Sequence, residues 1–222
     1  MLNNLGIKFF YLKKSVMETI INSIPGYKVF EYQLVLNPHE ELRHKIMQTK
    51  QHFFDTYQAS AALYNKPFVC LAHFVQYGLF EERIINRLQA IAMGFHPIKI
   101  PLKDFGSFPS HTIYINVTAK LPIQSLVKQV RAETQKLMKL DADHKPHFML
   151  EPHITVARKL LPWQYEKGWL DYSHKHFTAS FIADAMLLLK RPVGEKNYQV
   201  VQRFEFQNLL IKTISQGELF GS

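Results

Sequence analysis

Two segments of this chain share one frame at a separation of 85 positions: Lys66-Pro67-Phe68-Val69-Cys70-Leu71-Ala72-His73 lies over Glu151-Pro152-His153-Ile154-Thr155-Val156-Ala157-Arg158. Pro and Ala are identical between them, and Val/Ile and Leu/Val are similar. Both segments are dense in β-formers and read as strands. The elements around each follow a similar theme, so the chain is constrained toward two sheet-bearing lobes.

In the first half, Tyr27 to Leu36 reads as a strand. Asn37 is placed as an N-cap, with Pro38 at the first helical position and Glu40 as a capping-box acid. The helix that follows carries Leu42, Ile46, Phe53 and Tyr57 on one stripe. A second helix carries Phe80, Ile84, Leu88 and Ile91 and stops at Gly94. Strands are expected at 98–105 and 111–117. The second half then offers a helix through Leu121, Leu126, Val130 and Leu137, and a polar connection from Asp141 to Pro146. After it come a strand at 151–158, a short helix near 163–172, and strands at 176–190 and 198–206. Alternating helices and strands without a long parallel series indicate an α+β architecture. Residues 1–25 read as an extension whose helix, from Phe9 to Ile24, ends at Pro25-Gly26. Residues 26–208 form one bilobal domain, and 209–222 a tail.

Composition narrows the function classes. At 222 residues, 47% apolar and 20% charged, the chain can bury an ample core. No apolar run approaches the roughly 20 residues that cross a bilayer. The stretch Ile7 to Leu12 is too short for a signal peptide. The single cysteine, Cys70, excludes an internal disulfide framework and a multi-cysteine zinc site, and a reducing cytoplasm is the simplest home. The 27 Lys and Arg against 18 Asp and Glu give a net charge of +9, a bias toward a polyanion such as RNA. The 9 glycines are scattered, so no phosphate-cradling loop is indicated.

The chemistry concentrates in the second of the paired segments. His153 and Thr155 stand two apart on a strand, so both side chains point to one face. An imidazole that moves protons near neutral pH beside a hydroxyl donor suits phosphate chemistry. A His-x-Thr tripeptide alone fits a strand histidine tied to a neighbouring carbonyl better than a catalytic one. In context, Pro152-His153-Ile154-Thr155-Val156-Ala157-Arg158 resembles the second signature motif of the 2H phosphoesterase superfamily, nearest its 2'-5' RNA ligase-like, or RNA 2',3'-cyclic phosphodiesterase, branch. The similarity spans about residues 28–206.

The resemblance implies two pseudo-symmetric lobes around a cleft, each contributing one His-x-Thr/Ser motif. The paired histidines of that family act as general acid and base on a cyclic phosphate or 2'-5' linkage without a metal or other cofactor. Carried over by position, His153 is the second catalytic histidine, Thr155 its phosphate-binding partner and Arg158 a phosphate-holding cation. His111 or Tyr114, on the intervening strand, would border the cleft or be ordinary strand positions. The first motif departs from the pattern, with Phe68 at the histidine position and Cys70 at the hydroxyl position. Simple alternation gives His73 the opposite parity to Phe68, at the position matching Arg158. The expected partners are RNA ends or small cyclic-phosphate nucleotides, with no membrane and no obligate protein partner. Hydrolysis is expected only if the half-degenerate site is competent. The alternative is a non-catalytic binding module in which Phe68 floors a base.

Other candidates have plainer readings. Cys70 is a nucleophile or, lacking an evident base, a small buried side chain. His144 with His147, and His174 with His176, are metal pairs or solvated loop residues. Trp163, Tyr165, Trp169 and Tyr172 stack on bases or pack a helix against a sheet.

Overall fold

The computed structural model describes residues 27–64 and 66–209, so the expected helix over Phe9 to Ile24 lies outside the described residues. The first strand, β1 (Val29–Leu36), leads into α1 (Glu40–Tyr57), a one-turn α2 (Ala61–Tyr64) and β2 (Val69–Tyr77). Then follow α3 (Glu81–Met93), β3 (Ile98–Phe108), β4 (Thr112–Val117), α4 (Lys120–Met138) and the two-residue β5 (His147–Phe148). The chain continues through β6 (His153–Arg158), α5 (Pro162–Tyr172), β7 (Thr178–Ala183), β8 (Ala185–Pro192) and β9 (Gln199–Glu205).

Two expected boundaries move. The chain stays extended through His39 (φ −61°, ψ 163°), whose Nδ1 accepts from the Leu42 N–H at 3.3 Å. The α1 N-cap is therefore His39 and not Asn37. The single strand expected over 176–190 is two strands, β7 and β8, parted at Asp184 and belonging to different sheets.

All strand pairs are antiparallel and build two sheets, β5-β2-β1-β8-β9 and β6-β4-β3-β7. Each buries one face under helices, as alternation requires. In the five-stranded sheet that face carries Tyr32, Leu34, Leu36, Ala72, Phe74 and Leu188, all buried. In the four-stranded sheet it carries Ile113, Ile115, Val117, Ile154 and Ala157. The helices cross over: α1, which follows β1, packs with α5 on the four-stranded sheet, and α3 and α4 pack on the five-stranded one. The two bare faces meet where β2 runs beside β6. This is the α+β, bilobal arrangement the paired segments imply.

Each of those two strands carries one β-bulge. The β1–β2 register passes from Leu34↔Ala72 to Val35↔Cys70, leaving Leu71 unpaired. The β4–β6 register passes from Ile113↔Ala157 to Tyr114↔Thr155, leaving Val156 unpaired. Leu71 and Val156 are separated by the same 85 positions as the two sequence segments. A bulge adds one residue and so reverses the side-chain parity beyond it.

Candidate functional site

The bulge at Val156 decides the site's composition. Before it, His153 pairs with Asn116 and Thr155 with Tyr114; after it, Arg158 pairs with Thr112. Thr112, Tyr114 and Asn116 share one face of β4, so His153, Thr155 and Arg158 all stand on the bare face. Strict alternation would have sent Arg158 into the core. The bulge is held from below by Lys50, fully buried in α1, whose Nζ donates to the Thr155 carbonyl at 3.0 Å and the Val156 carbonyl at 3.1 Å. Burial, helped by the charge of Arg158, pulls the Lys50 ammonium down to about 7.

His153 is oriented on three sides. Its Nδ1 lies 2.7 Å from the Glu151 carbonyl, and its ring meets Phe108 edge-on (5.1 Å, 79°) and Tyr114 at a tilt (4.9 Å, 48°). A carbonyl only accepts, so Nδ1 carries the proton and Nε2 of the neutral ring keeps its lone pair. Burial draws His153 below the ordinary histidine range, against a smaller opposing pull from the Glu151 carbonyl and charge. The ring is therefore neutral at pH 7, the form a general base needs. Lys120 pairs with Glu151 at 2.7 Å on the rim of the narrow crevice that His153, Phe108, Tyr114 and Asn116 line.

The five-stranded sheet presents a different set. The bulge at Leu71 places His73, opposite Gln33, on the same bare face as Cys70, opposite Val35. Parity alone had separated His73 from this face, and the extra residue returns it. Cys70 is a protonated thiol: burial pushes it up to about 12 against the opposing charge of Arg158. That state makes it neither a nucleophile nor a strong donor. Burial also lowers His73, which feels Glu31, Arg191, Arg158 and His147. Glu31 accepts from Arg191 Nε at 2.7 Å and from the Tyr198 hydroxyl at 3.3 Å. Gln33 leaves its buried Oε1 without a hydrogen-bond partner.

Phe68 precedes β2 and lines a cavity of about 480 Å³ with Val35, Leu187, Leu189, Tyr198 and Arg43. It and His153 thus line different cavities, while Arg158 is the group whose charge reaches Cys70 and His73. His111 sits exposed in the β3–β4 turn, its Nδ1 3.2 Å from the Phe108 carbonyl. Tyr114, by contrast, forms a wall of the His153 crevice. Among the described residues no three His, Cys, Asp or Glu cluster as metal ligands. His144 pairs with Asp141 and His176 with Asp104. Tyr172 packs in the core against Phe53 (5.2 Å) and Phe105 (4.9 Å), whereas Trp163 is exposed.

Lys50 escaped the sequence reading although it left a trace there. It is the charged residue on the α1 stripe, spaced four after Ile46. The bulges also left a trace, since alternation breaks at the apolar pairs Leu71-Ala72 and Val156-Ala157.

The 2'-5' RNA ligase superfamily model matches residues 36–195. The chain belongs to that family. It is thereby a 2H phosphoesterase-superfamily protein. None of the curated protein sequences matches it. Solved structures share the fold at low identity. The Thermus thermophilus protein TT0787 aligns with a TM-score of 0.59 at 16% identity, over 80% of this chain and 98% of that one. Escherichia coli LigT complexed with phosphate aligns at 0.57 and 13%, over 81% and 98%. LigT complexed with 3'-AMP aligns at 0.53 and 14%, again over 81% and 98%. No described helix is long and apolar enough to cross a membrane.

Proposed function

We propose that this protein binds the phosphate-bearing end of RNA, or a small cyclic-phosphate nucleotide, on the bare face of β6. We further infer that it hydrolyses 2',3'-cyclic phosphates without a metal only as fast as one histidine sustains. The observation that carries this reading is the gathering of His153, Thr155 and Arg158 on one face by the Val156 bulge. A guanidinium fork and a hydroxyl suit the non-bridging phosphoryl oxygens, and His153 Nε2 suits a proton in transit. The phosphate and 3'-AMP complexes of LigT, a structural relative, are consistent with ligands of this class.

In hydrolysis, water attacks phosphorus while His153 Nε2 takes the water proton. The bond to the 2' or 3' oxygen breaks, and that oxygen must be protonated as it leaves. A paired histidine supplies this proton in the family pattern. Here Phe68 cannot, and the neutral Cys70 thiol is a poor substitute, so the proton comes from water. Losing one positioned acid or base costs about 10²–10⁴ in rate. A protein that binds without turnover is the second reading, favoured by the same Phe68 and Cys70.

The test is fluorescence anisotropy with matched RNAs ending in a 3'-phosphate or a 3'-hydroxyl. The phosphate end should bind more tightly, and Arg158→Ala should remove most of the difference, worth about 1.5–3 kcal/mol. Equal affinity at several salt concentrations overturns the reading. Release of a monophosphate from a cyclic nucleotide separates slow hydrolysis from binding alone.

A further inference from the structure

A second basic surface lies outside the β6 face. Arg131 and Lys136 on α4, Lys139 just past its end, and Lys145 and His147 beyond line a groove of about 400 Å³ that also borders the half-buried ring of Phe148. No carboxylate lines it. Of the nearest acids along the chain, Glu133 and Asp141 face other partners, and Asp143 lies outside the lining. Glu133 pairs with Arg87 at 3.8 Å, and Asp141 accepts from His144 Nδ1 (2.9 Å) and from the N–H groups of Asp143 and His144. Among the described residues, none of the four Lys and Arg side chains of the groove has an ion-pair partner. What marks this group is its clustering: four cations around one concavity whose lining holds no carboxylate make a field aimed at an anion.

Two contacts tie this groove to the candidate site. Gln76 Nε2, from β2, donates to the Leu137 carbonyl at 2.7 Å and the Lys139 carbonyl at 3.1 Å. It fixes the end of α4 beside β2 and covers carbonyls that would otherwise repel an anion. His147 pairs across the β2–β5 ladder with His73, whose imidazole feels Arg158. The groove, His147 and His73 thus lead by cationic or protonatable groups to Arg158, on the same bare face of β6 as His153.

We propose that this groove holds the sugar-phosphate backbone of a single-stranded RNA whose phosphate-bearing end lies at His153. The preferred ligand is then an oligonucleotide and not a mononucleotide. This rests on the reading of the β6 face as an end-binding site. Lysine and arginine neutralise successive phosphates, and Phe148 offers a ring on which a base stacks. Single-strand binding loses about 0.7 of salt slope for each phosphate contact removed.

The experiment uses the full chain and two probes, a short single-stranded RNA ending in a 2',3'-cyclic phosphate and the cyclic mononucleotide alone. The triple variant Arg131→Gln, Lys136→Gln, Lys139→Gln alters only exposed side chains. A control of equal charge, Arg83→Gln, Lys167→Gln, Lys175→Gln, removes exposed cations elsewhere. The groove variant should bind the oligonucleotide about tenfold more weakly, with the salt slope reduced by about 2, and bind the mononucleotide as the parent does. The control should change neither by more than a small uniform amount. Equal weakening by both variants, or an oligonucleotide bound no more tightly than the mononucleotide, overturns the proposal. A selective groove effect with equal affinity for phosphate-ended and hydroxyl-ended RNA supports the groove and removes end recognition at His153 instead.

Discussion

Phe68 and Lys50 carry opposite lessons about single residues. On the proposed reading Phe68 stands where the family pattern has a proton-transferring histidine, and it lines its cavity with Val35, Leu187 and Leu189 but also with Glu40, Arg43 and His44. The double change Phe68→His with Cys70→Thr should speed cyclic-nucleotide hydrolysis by about 10², the low end for a positioned acid, because Phe68 and His153 line different cavities and nothing there is built to orient an imidazole toward the other. The gain should disappear in a His153→Ala background, since paired groups act as a unit. A well-folded double variant no faster than the parent would show that the missing histidine does not limit this site. Lys50 is the reverse case, a charge placed where an apolar residue is usual. Its folded pKa of about 7 lies below the ordinary lysine value of 10.5, so above pH 7 the unfolded chain binds more protons than the folded one. Stability should therefore rise from pH 7 to about 8.5, by something on the order of 2 kcal/mol, before the Cys70 thiol of the unfolded chain ionises. Urea unfolding at the two pH values measures this. Lys50→Met should abolish the rise, and with it the support of the Thr155 and Val156 carbonyls; a persisting rise would assign it to another group.

Among elements, β3 and β4 show how backbone room shapes the crevice. Gly106 in β3 lies opposite Tyr114, and a Cβ there would stand 2.6 Å from Tyr114 Cε2 and 2.6 Å from Asn116 Oδ1. The Tyr114 ring is meanwhile held between Phe108 (4.6 Å) and His153 (4.9 Å). Gly106→Ala should lift that ring off His153, destabilise the fold by about 1–3 kcal/mol and weaken phosphate-end binding. The His153 ring proton shifts in NMR report the displacement directly, and unchanged shifts would disprove it. Much of this element structure is legible in the sequence, because the apolar stripes of α1, α3 and α4 and the alternation of β1 and β4 are side-chain patterns. The break at Asp184 is not: apolar residues run through 181–189 on either side of it, and only pairing partners distant in sequence divide them between sheets. The facing of Arg158 and His73 was hidden for a related reason. One extra residue in a strand changes no side chain, yet it reverses every direction beyond it, and only the adjacent pairs Leu71-Ala72 and Val156-Ala157 betray it. The Glu31–Arg191–Tyr198 cluster joins residues more than 150 positions apart and leaves no local signal at all.

At the scale of the whole molecule, the crossing of the helices prevents either lobe from being an independent unit. The helix between β1 and β2 covers the sheet to which neither strand belongs, and α4, between β4 and β6, covers the other. Heat or denaturant should therefore produce one transition, with circular dichroism and tryptophan fluorescence coinciding, since Trp163 and Trp169 both lie in α5 on the four-stranded sheet. Two separated transitions would mean that the lobes melt apart. The strand orders carry this further. In each sheet the central pair, β1 with β2 or β3 with β4, comes from the chain before the exposed 141–145 loop, and every flanking strand comes from after it. A protease that cuts this loop would sever the backbone while leaving four hydrogen-bonded seams, β2–β5, β1–β8, β4–β6 and β3–β7, to hold the pieces together. Covalent continuity is dispensable there: the two fragments, unable to complete a sheet separately, are each the template on which the other folds.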